Sequence, residues 1–514
     1  MTVNDPTSKL QNLLNWFTDN DIKFNNQMIS VTTSSSSAHT GLCIMAETDL
    51  NLGDVVCEIP KASVLSCKTT AIADILEEFN LAGVLGLTVS VMFEMSQGSQ
   101  SPWYEYLQAM PEREDIPLFW CDPDSLLLEN TDLIKQLAKD IVLLELDWKD
   151  DVLPMFKKYP ELFPPASPFY SFDEFLRATS LVTSRAFQVD AYHLDAMVPL
   201  ADIFNHKTAS ENVHIETDGD VCLICGANYE CEHVTSEFDT EASSDTNSIH
   251  HDDDNGATPD NDLLQMVIVK PDTKGSEVFN TYGNHSNSVL LSRYGFCELG
   301  NPFDTVSIEW DDVLTVLSDI LPCETVLERV EWWKVVCDGL NCDDHDNEAD
   351  HHHYNESECA FTAEGECNPM LEGALRIALS PPSFYHQLRK DKHKLGTYIH
   401  QLNSGNWIVS KTVSSGAERD GGEGIDSDEE MYDSGEDTSD SVVATRPSVV
   451  SRKVRTIAAG LADMRLSKYK KTLEQDRIEL DQLGAELGRM RWALILRISE
   501  KQILQKVISN SDGT

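Results

Sequence analysis

The sequence predicts an α+β fold followed by an all-α part, and three observations predict it. Short apolar runs at 42–46, 55–59, 213–215, 221–224 and 266–269 read as strands. A block with helical periodicity, about 71–177, is set between them. From Asn301 to the end the pattern is again helical, closing on a long basic amphipathic stretch that contains MRWALILRISEKQILQKVI. At 514 residues the chain exceeds what one core usually supports, so two domains are expected, 1–300 and 301–514.

The elements follow in order. Leu10, Leu13, Leu14 and Phe17 fall at helical spacing after Thr7 and Ser8, which are good N-cap residues, so the chain opens with an amphipathic helix. The runs 42–46 and 55–59, separated by Asn51, Gly53 and Asp54, read as a β-hairpin. Leu133, Leu137, Ile141 and Leu144 form one apolar stripe of the helical block, which Pro111, Pro154 and Pro164 punctuate. Three acidic, aromatic-poor segments read as disordered surface loops: about 232–262, 343–366 and 414–441. Ser427 and Ser434 sit beside carboxylates and are candidates for phosphorylation, although composition favours a plain solvated linker.

Charge limits the partners. With 87 acidic and 39 basic residues the formal charge is -48, which argues against nucleic acid or an anionic membrane as the main partner and favours a basic protein. Thirteen cysteines at irregular spacing do not read as a disulfide framework, so a reducing compartment, nucleus or cytoplasm, is expected. The first residues lack a basic segment followed by an apolar run, and no stretch of eighteen apolar residues occurs, so neither secretion nor a membrane span is expected.

Three segments and the last helix carry a resemblance. Ser184-Arg185-Ala186-Phe187 is followed by Val198-Pro199-Leu200-Ala201-Asp202-Ile203-Phe204-Asn205-His206. Glu277-Val278-Phe279-Asn280-Thr281-Tyr282-Gly283 continues through Asn287, Leu290 and Leu291 to Tyr294-Gly295-Phe296. Ser101-Pro102-Trp103 precedes Tyr106-Leu107 and Met110-Pro111, and the last helix carries Arg497, Glu500, Lys501 and Leu504. Their order and separation resemble the SET-domain methyltransferases, in the subclass of the Rubisco large-subunit and ribosomal-protein lysine methyltransferases, and most nearly the fungal enzymes that act on a large-subunit ribosomal protein.

The resemblance implies a SET-domain β fold with a pseudoknot and a helical insert, followed by an all-α substrate-binding domain. It implies S-adenosyl-L-methionine (SAM) as cofactor and lysine N-methylation of a basic protein, a large-subunit ribosomal protein being the expected target of an expected monomer. By the same analogy Asn205 and the His206 backbone hold the adenosyl part, Arg185 and Phe187 flank the cofactor, Asp202 supports the turn and Tyr282 is the catalytic tyrosine. Phe187, Tyr294 and Phe296 are expected to wall the substrate channel. Where the family commonly has Gly-x-Gly, this chain departs from it, reading His39-Thr40-Gly41-Leu42 with one glycine; the resemblance implies a backbone cofactor contact at Thr40, Gly41 and Leu42, a simple strand entry being the other reading.

Methyl transfer from a sulfonium to an amine is an in-line displacement that needs alignment and a neutral amine, which aromatic walls and desolvation provide. Two other readings stay open: a histidine acceptor on the same fold, and a catalytically silent protein-binding module. Cys222, Cys225, Cys231 and His233, and the His-rich 343–353, have the residue types of a zinc site. Because 222–225 alternates as an ordinary strand would, and the subclass does without zinc-holding cysteine flanks, no metal is expected.

Overall fold

Nine strands and a helical block build the first part of the chain in the computed structural model, which describes residues 6–33, 41–217, 221–228, 231, 233, 262–341, 358–404, 449–484 and 488–512. Contacts divide it into two units, Met1–Asp304 with Glu474–Ile498, and Thr305–Leu473 with Ser499–Thr514. The first unit thus takes in 474–498 from late in the chain. The acidic segment 414–441, Ser427, Ser434, Thr40 and most of 232–262 lie outside the described residues. No helix among the described residues is long and apolar enough to cross a membrane.

The first unit opens with helix Pro6–Asp19, which buries Leu13 and Phe17. It starts at Pro6, within one turn of the expected Thr7 and Ser8, and proline suits the first helical turn because its missing N–H would have no partner there.

Strands β1 (Lys23–Phe24), β2 (Ile29–Thr33), β3 (Leu42–Ala46), β4 (Val55–Pro60) and β5 (Leu65–Ser66) follow. After the helical block come β6 (Ala186–Gln188), β7 (Asp195–Met197), β8 (Val213–Thr217) and β9 (Leu263–Ile268). They form a four-stranded sheet in the order β1-β4-β9-β8, a pair β2-β3 and a three-stranded sheet β5-β7-β6, all antiparallel.

This overturns the expected hairpin. β3 pairs with β2, Val31 opposite Ile44, while β4 pairs with β1 and β9, Cys57 opposite Met266. In β9 Leu264, Met266 and Ile268 are fully buried while Gln265 between them reaches Glu58, the alternation of a strand packed mainly on one face. The expected strand at 221–224 is absent: Leu223 and Ile224 are both about two-thirds exposed, in a turn.

The helical block includes Gly83–Gln97, Asp132–Leu146 and Phe172–Arg185. In Asp132–Leu146 the expected stripe is only partly buried, Leu133 fully but Ile141 exposed. Helix Phe172–Arg185 begins with a capping signal, the Ser171 hydroxyl accepting the Glu174 N–H at 3.2 Å, and buries Phe175, Ala178, Leu181 and Val182.

The second unit is helical around one core that includes Trp333, Phe361, Leu375, Leu461 and Leu504. Its only described strands, β10 (Thr305–Ser307) and β11 (Ala360–Thr362), pair antiparallel. β11 lies within 343–366, so that segment is not loop throughout: Phe361, wholly buried, gives it an apolar anchor. Arg329, also buried, donates to the carbonyls of Ile377, Ala378 and Ser380 at 2.6–3.2 Å, supplying a cation to the C-terminal end of helix Pro369–Leu379.

Candidate functional site

Helix Phe172–Arg185 runs directly into β6, which places Arg185 at the helix end and Phe187 in the strand opposite Ala196. Downstream of β7 the chain turns sharply. Leu200 is fully buried at φ +76° and ψ −44°, a backbone conformation that costs a non-glycine residue roughly 1–3 kcal/mol and tends to be kept at sites where the fold needs the turn. The tight turn Ala201–Ile203 follows and delivers Phe204, Asn205 and His206.

These residues lie alongside the tyrosine segment. His206 and Asn280 form a parallel bridge, the Asn280 N–H donating to the Asn205 carbonyl at 2.8 Å and the Lys207 N–H to the Asn280 carbonyl at 3.3 Å. The Tyr282 N–H donates to His206 Nδ1 at 2.9 Å, which identifies Nδ1 as the unprotonated nitrogen; Nε2 then carries the proton toward Thr208 Oγ1, 3.0 Å away. Backbone pairing thus sets both the position of Tyr282 and the tautomer of a buried histidine.

An aromatic stack surrounds the phenol. The Tyr282 ring lies between His206, 5.0 Å away, and Tyr294, 4.6 Å away, both nearly parallel to it, and Phe296 borders His206 and Tyr294 at 6.1 and 6.4 Å. The Tyr282 hydroxyl donates to the Phe204 carbonyl at 3.3 Å, a long bond, and burial pushes its pKa above the ordinary phenol value. Tyr282 therefore stays neutral at physiological pH.

Gly295 ends the wide helical turn Leu290–Tyr294 in the left-handed region at φ +78°. A Cβ there would stand 3.0 Å from the Asp115 carbonyl, so glycine lets Tyr294 and Phe296 project from adjoining positions. Asn287, fully buried, holds the loop by exchanging hydrogen bonds with Glu298 and Asp304 at 2.6–2.8 Å.

Charges collect at one side of the stack. Arg185 is paired with Glu114 and also donates to Ser184 Oγ at 2.8 Å. Its field acts on Asp202, Tyr106 and Tyr282 together. Asp202 Oδ2 accepts the Tyr106 hydroxyl at 2.8 Å, while Oδ1 is buried with no hydrogen-bond partner among the described residues. Burial pushes the Asp202 carboxyl up to about 6, against the lowering effects of Arg185 and Tyr106.

Asp202 therefore has a stability signature. Its ordinary value of 3.8 is raised to about 6 by folding, so the folded chain holds more protons than the unfolded one between these values. The contribution is complete below pH 3.8 and lost as pH rises through about 6. Asp202→Asn is expected to remove this dependence, so that the urea midpoint of the variant gains on the parent between about pH 4 and pH 7. A parent–variant difference that stays constant over that interval would show an unshifted carboxyl.

The Asn205 amide donates to Glu277 Oε1 at 2.6 Å and to the Leu42 carbonyl at 3.5 Å, joining the tyrosine segment to the start of β3 beside Gly41, itself at φ +122°. Asn205, His206, Asp202, Arg185, Tyr282, Tyr294, Phe296 and Leu42 are thus linked through direct contacts or shared fields. Phe187 is not in the stack: it packs at the margin of the larger core and forms no ring contact with Tyr282 or Tyr294 among the described residues. Sequence reasoning missed Glu114 and Glu277 as partners and assigned Tyr106 no role. Tyr106 and Glu277 lay inside the quoted motifs, but nothing in the sequence around Glu114 marks it as the partner of Arg185, 71 positions away.

Comparison with solved structures decides the fold. The structure of Rubisco LSMT bound to AdoMet aligns with a TM-score of 0.58 at 16% identity over 98% of this chain and 91% of that one, and the SET domain of LSMT bound to lysine and AdoHcy with 0.57 at 17% over the same shares. The chain has the SET-domain fold. A family model described as Rubisco LSMT substrate-binding matches residues 425–504 of this SET-fold chain.

Among curated relatives, ribosomal lysine N-methyltransferase 3 of Saccharomyces cerevisiae is 28% identical over 356 residues, 58% of this chain and 64% of that protein. N-lysine methyltransferase setd6 of Xenopus tropicalis is 27% identical over 292 residues, 53% of this chain and 54% of that protein. The SET-fold chain therefore spans less than two thirds of the length of either.

Proposed function

We propose that this chain is a SAM-dependent protein-lysine N-methyltransferase that works as a monomer in the nucleus or cytoplasm on a basic protein, a large-subunit ribosomal protein being the first candidate. The observation that carries the reading is the lacing of Asn205–His206 to Asn280–Tyr282, which sets a neutral tyrosine inside an aromatic stack. The relatives, lysine N-methyltransferases of yeast and frog, and the similar structures solved with AdoMet or with lysine and AdoHcy support the same reaction. A formal charge of -48 suits a cationic partner.

The residues fit SAM. Asp202 Oδ1, buried without a hydrogen-bonding partner, is an acceptor in search of a donor, and Arg185, although paired, supplies positive charge for a carboxylate. Asn205, the His206 backbone, Arg185, Asp202, Gly41 and Leu42 would hold the cofactor, with Phe187 flanking it from β6. When bound, it supplies an electrophilic methyl group on a cationic sulfonium. Tyr294 and Phe296 offer aromatic faces to the lysine stem, and desolvation among these rings favours the neutral, nucleophilic amine. Tyr282 aligns the reacting nitrogen through its hydroxyl, whose weak bond to Phe204 is readily exchanged.

The test is incubation of the purified chain with methyl-labelled SAM and a ribosomal protein extract, with mass spectrometry to locate the label. Label on one lysine of one basic protein supports the proposal. Label on histidine would transfer it to the other acceptor, and absence of SAM binding by the folded chain would leave only a protein-binding role. Asn205→Ala, which removes the link to Glu277 and Leu42, is expected to weaken SAM binding about tenfold, the cost of one hydrogen bond. Unchanged affinity by calorimetry would place the cofactor elsewhere.

A further inference from the structure

We propose that Cys222, Cys225, Cys231 and His233 form a structural site for a soft divalent cation of the zinc class. The sequence reading expected no metal because 222–225 alternates as a strand would. In the structure that segment is a turn, and the four residues bring one ligand atom each to within 4.8 Å of one another. His233 Nδ1 stands 3.8 Å from both Cys222 Sγ and Cys231 Sγ. Zinc–sulfur and zinc–nitrogen bonds of about 2.3 and 2.0–2.1 Å at tetrahedral angles require ligand–ligand edges of roughly 3.6–3.8 Å.

The backbone of the turn is built around the thiols. The Gly226 N–H donates to the Cys222 carbonyl and the Cys222 N–H to the Ala227 carbonyl, each at 2.8 Å. This closure aims the N–H groups of Ile224 and Cys225 at the Cys222 sulfur, and that of Ala227 at the Cys225 sulfur. Backbone donors converging on sulfur stabilise thiolates and orient metal ligands. Gly226 sits at φ +73°, and a Cβ there would stand 2.6 Å from the Tyr192 ring, so the Cys-x-x-Cys-Gly turn needs its glycine twice over.

Electrostatics point the same way. From 208 to 269 the chain contains no lysine or arginine, so its own sequence supplies no cation within that span to balance converging thiolates. Three sulfurs and one imidazole make a closed four-ligand set, which is structural rather than catalytic because no position is left for water or substrate. Its place in the fold gives it a purpose. Tyr192 belongs to the turn organised by Asp190, and buried Lys61 ties Asp190 to Asp262, each at 2.9 Å. A cation at the four ligands would therefore fix the outgoing root of the acidic segment beside the loop that already holds its return.

Cobalt(II) added to the full-length chain, purified under reducing conditions and stripped of metal, provides the test. Expected are one bound equivalent, the charge-transfer absorption of thiolate–cobalt bonds with tetrahedral ligand-field bands, and displacement of cobalt by one equivalent of zinc. Cys222→Ser and Cys231→Ser should each abolish the charge-transfer band, whereas alanine at His351, His352 and His353 should leave it intact. The unsubstituted chain alone decides the matter if a serine variant fails to fold. Absence of the thiolate band, its persistence in either serine variant, or a Cys222–Cys225 disulfide as the state of the native chain would overturn the proposal.

Discussion

Tyr282→Phe is expected to lower the rate of methyl transfer about 10²–10³-fold while SAM affinity stays within a few-fold of the parent. The substitution keeps everything that positions the ring. The Tyr282 backbone N–H still donates to His206 Nδ1, and the ring still stacks between His206 and Tyr294. Only the hydroxyl goes, and with it a 3.3 Å bond to Phe204 whose loss costs the folded chain little. A group that acts mainly on transition-state alignment should change turnover and spare ground-state binding. Single-turnover transfer from labelled SAM, paired with calorimetric SAM binding, separates the two. Equal rates in variant and parent would remove Tyr282 from the mechanism, and loss of SAM binding would make its hydroxyl a cofactor contact.

Asp476→Ala is expected to cost about 3–5 kcal/mol of stability, the range found when one member of a buried ion pair is removed. Asp476 is wholly buried, and both its carboxylate oxygens receive Arg497, through Nη2 and, at 3.1 Å, through Nε. Arg497 also donates to the Leu127 carbonyl at 3.1 Å, joining the last helix, Arg489–Asp512, to the insert within the first unit. Alanine would leave the largely buried guanidinium facing only the more distant Glu479, 3.9 Å away. The double variant Asp476→Leu, Arg497→Met should recover much of the loss, because the cost lies in the unpaired charge rather than in the missing attraction. Urea unfolding of parent, single and double variants reads both effects. A single variant within about 1 kcal/mol of the parent would mean that the pair behaves as if exposed.

Arg497 was legible as part of a familiar spacing in the last helix, but its partner was not, since Asp476 lies in the separate helix Leu473–Leu483. Glu500 and Lys501 resolve similarly: Glu500 receives the Tyr469 hydroxyl and lies 3.5 Å from Arg465, and the Lys501 ammonium lies over the Tyr469 ring at 4.8 Å. All three charged residues of the motif are thus internal fasteners, while Leu504 is core. A spacing pattern registers that such residues belong together without distinguishing contact with a ligand from contact with the fold.

The candidate site divides along the same line. Asn205, His206, Tyr282, Tyr294 and Phe296 were legible because each sits in a short contiguous motif. Glu114 was invisible because nothing local marks it. Phe187, expected to wall the channel, sits in β6 opposite Ala196 and packs at the margin of the larger core. The strand expected at 221–224 failed for a related reason: a run of apolar residues mimics a strand when only local pattern is read. The left-handed Gly226 and the hydrogen bonds of the turn override that pattern.

What the sequence by itself determined is local: which stretches have helical or strand periodicity, where charge is concentrated, and which residue types stand together in the Asn-His and tyrosine motifs. What only the tertiary structure decided is partnership. β3 chose β2 over β4, Arg185 met Glu114, and Asp202 was buried deeply enough to raise its carboxyl to about 6. Periodicity reports which face of a segment leaves water, but many partners can cover that face equally well. The choice among them is made by burial and chain closure over the whole molecule, a balance that no short window of sequence contains.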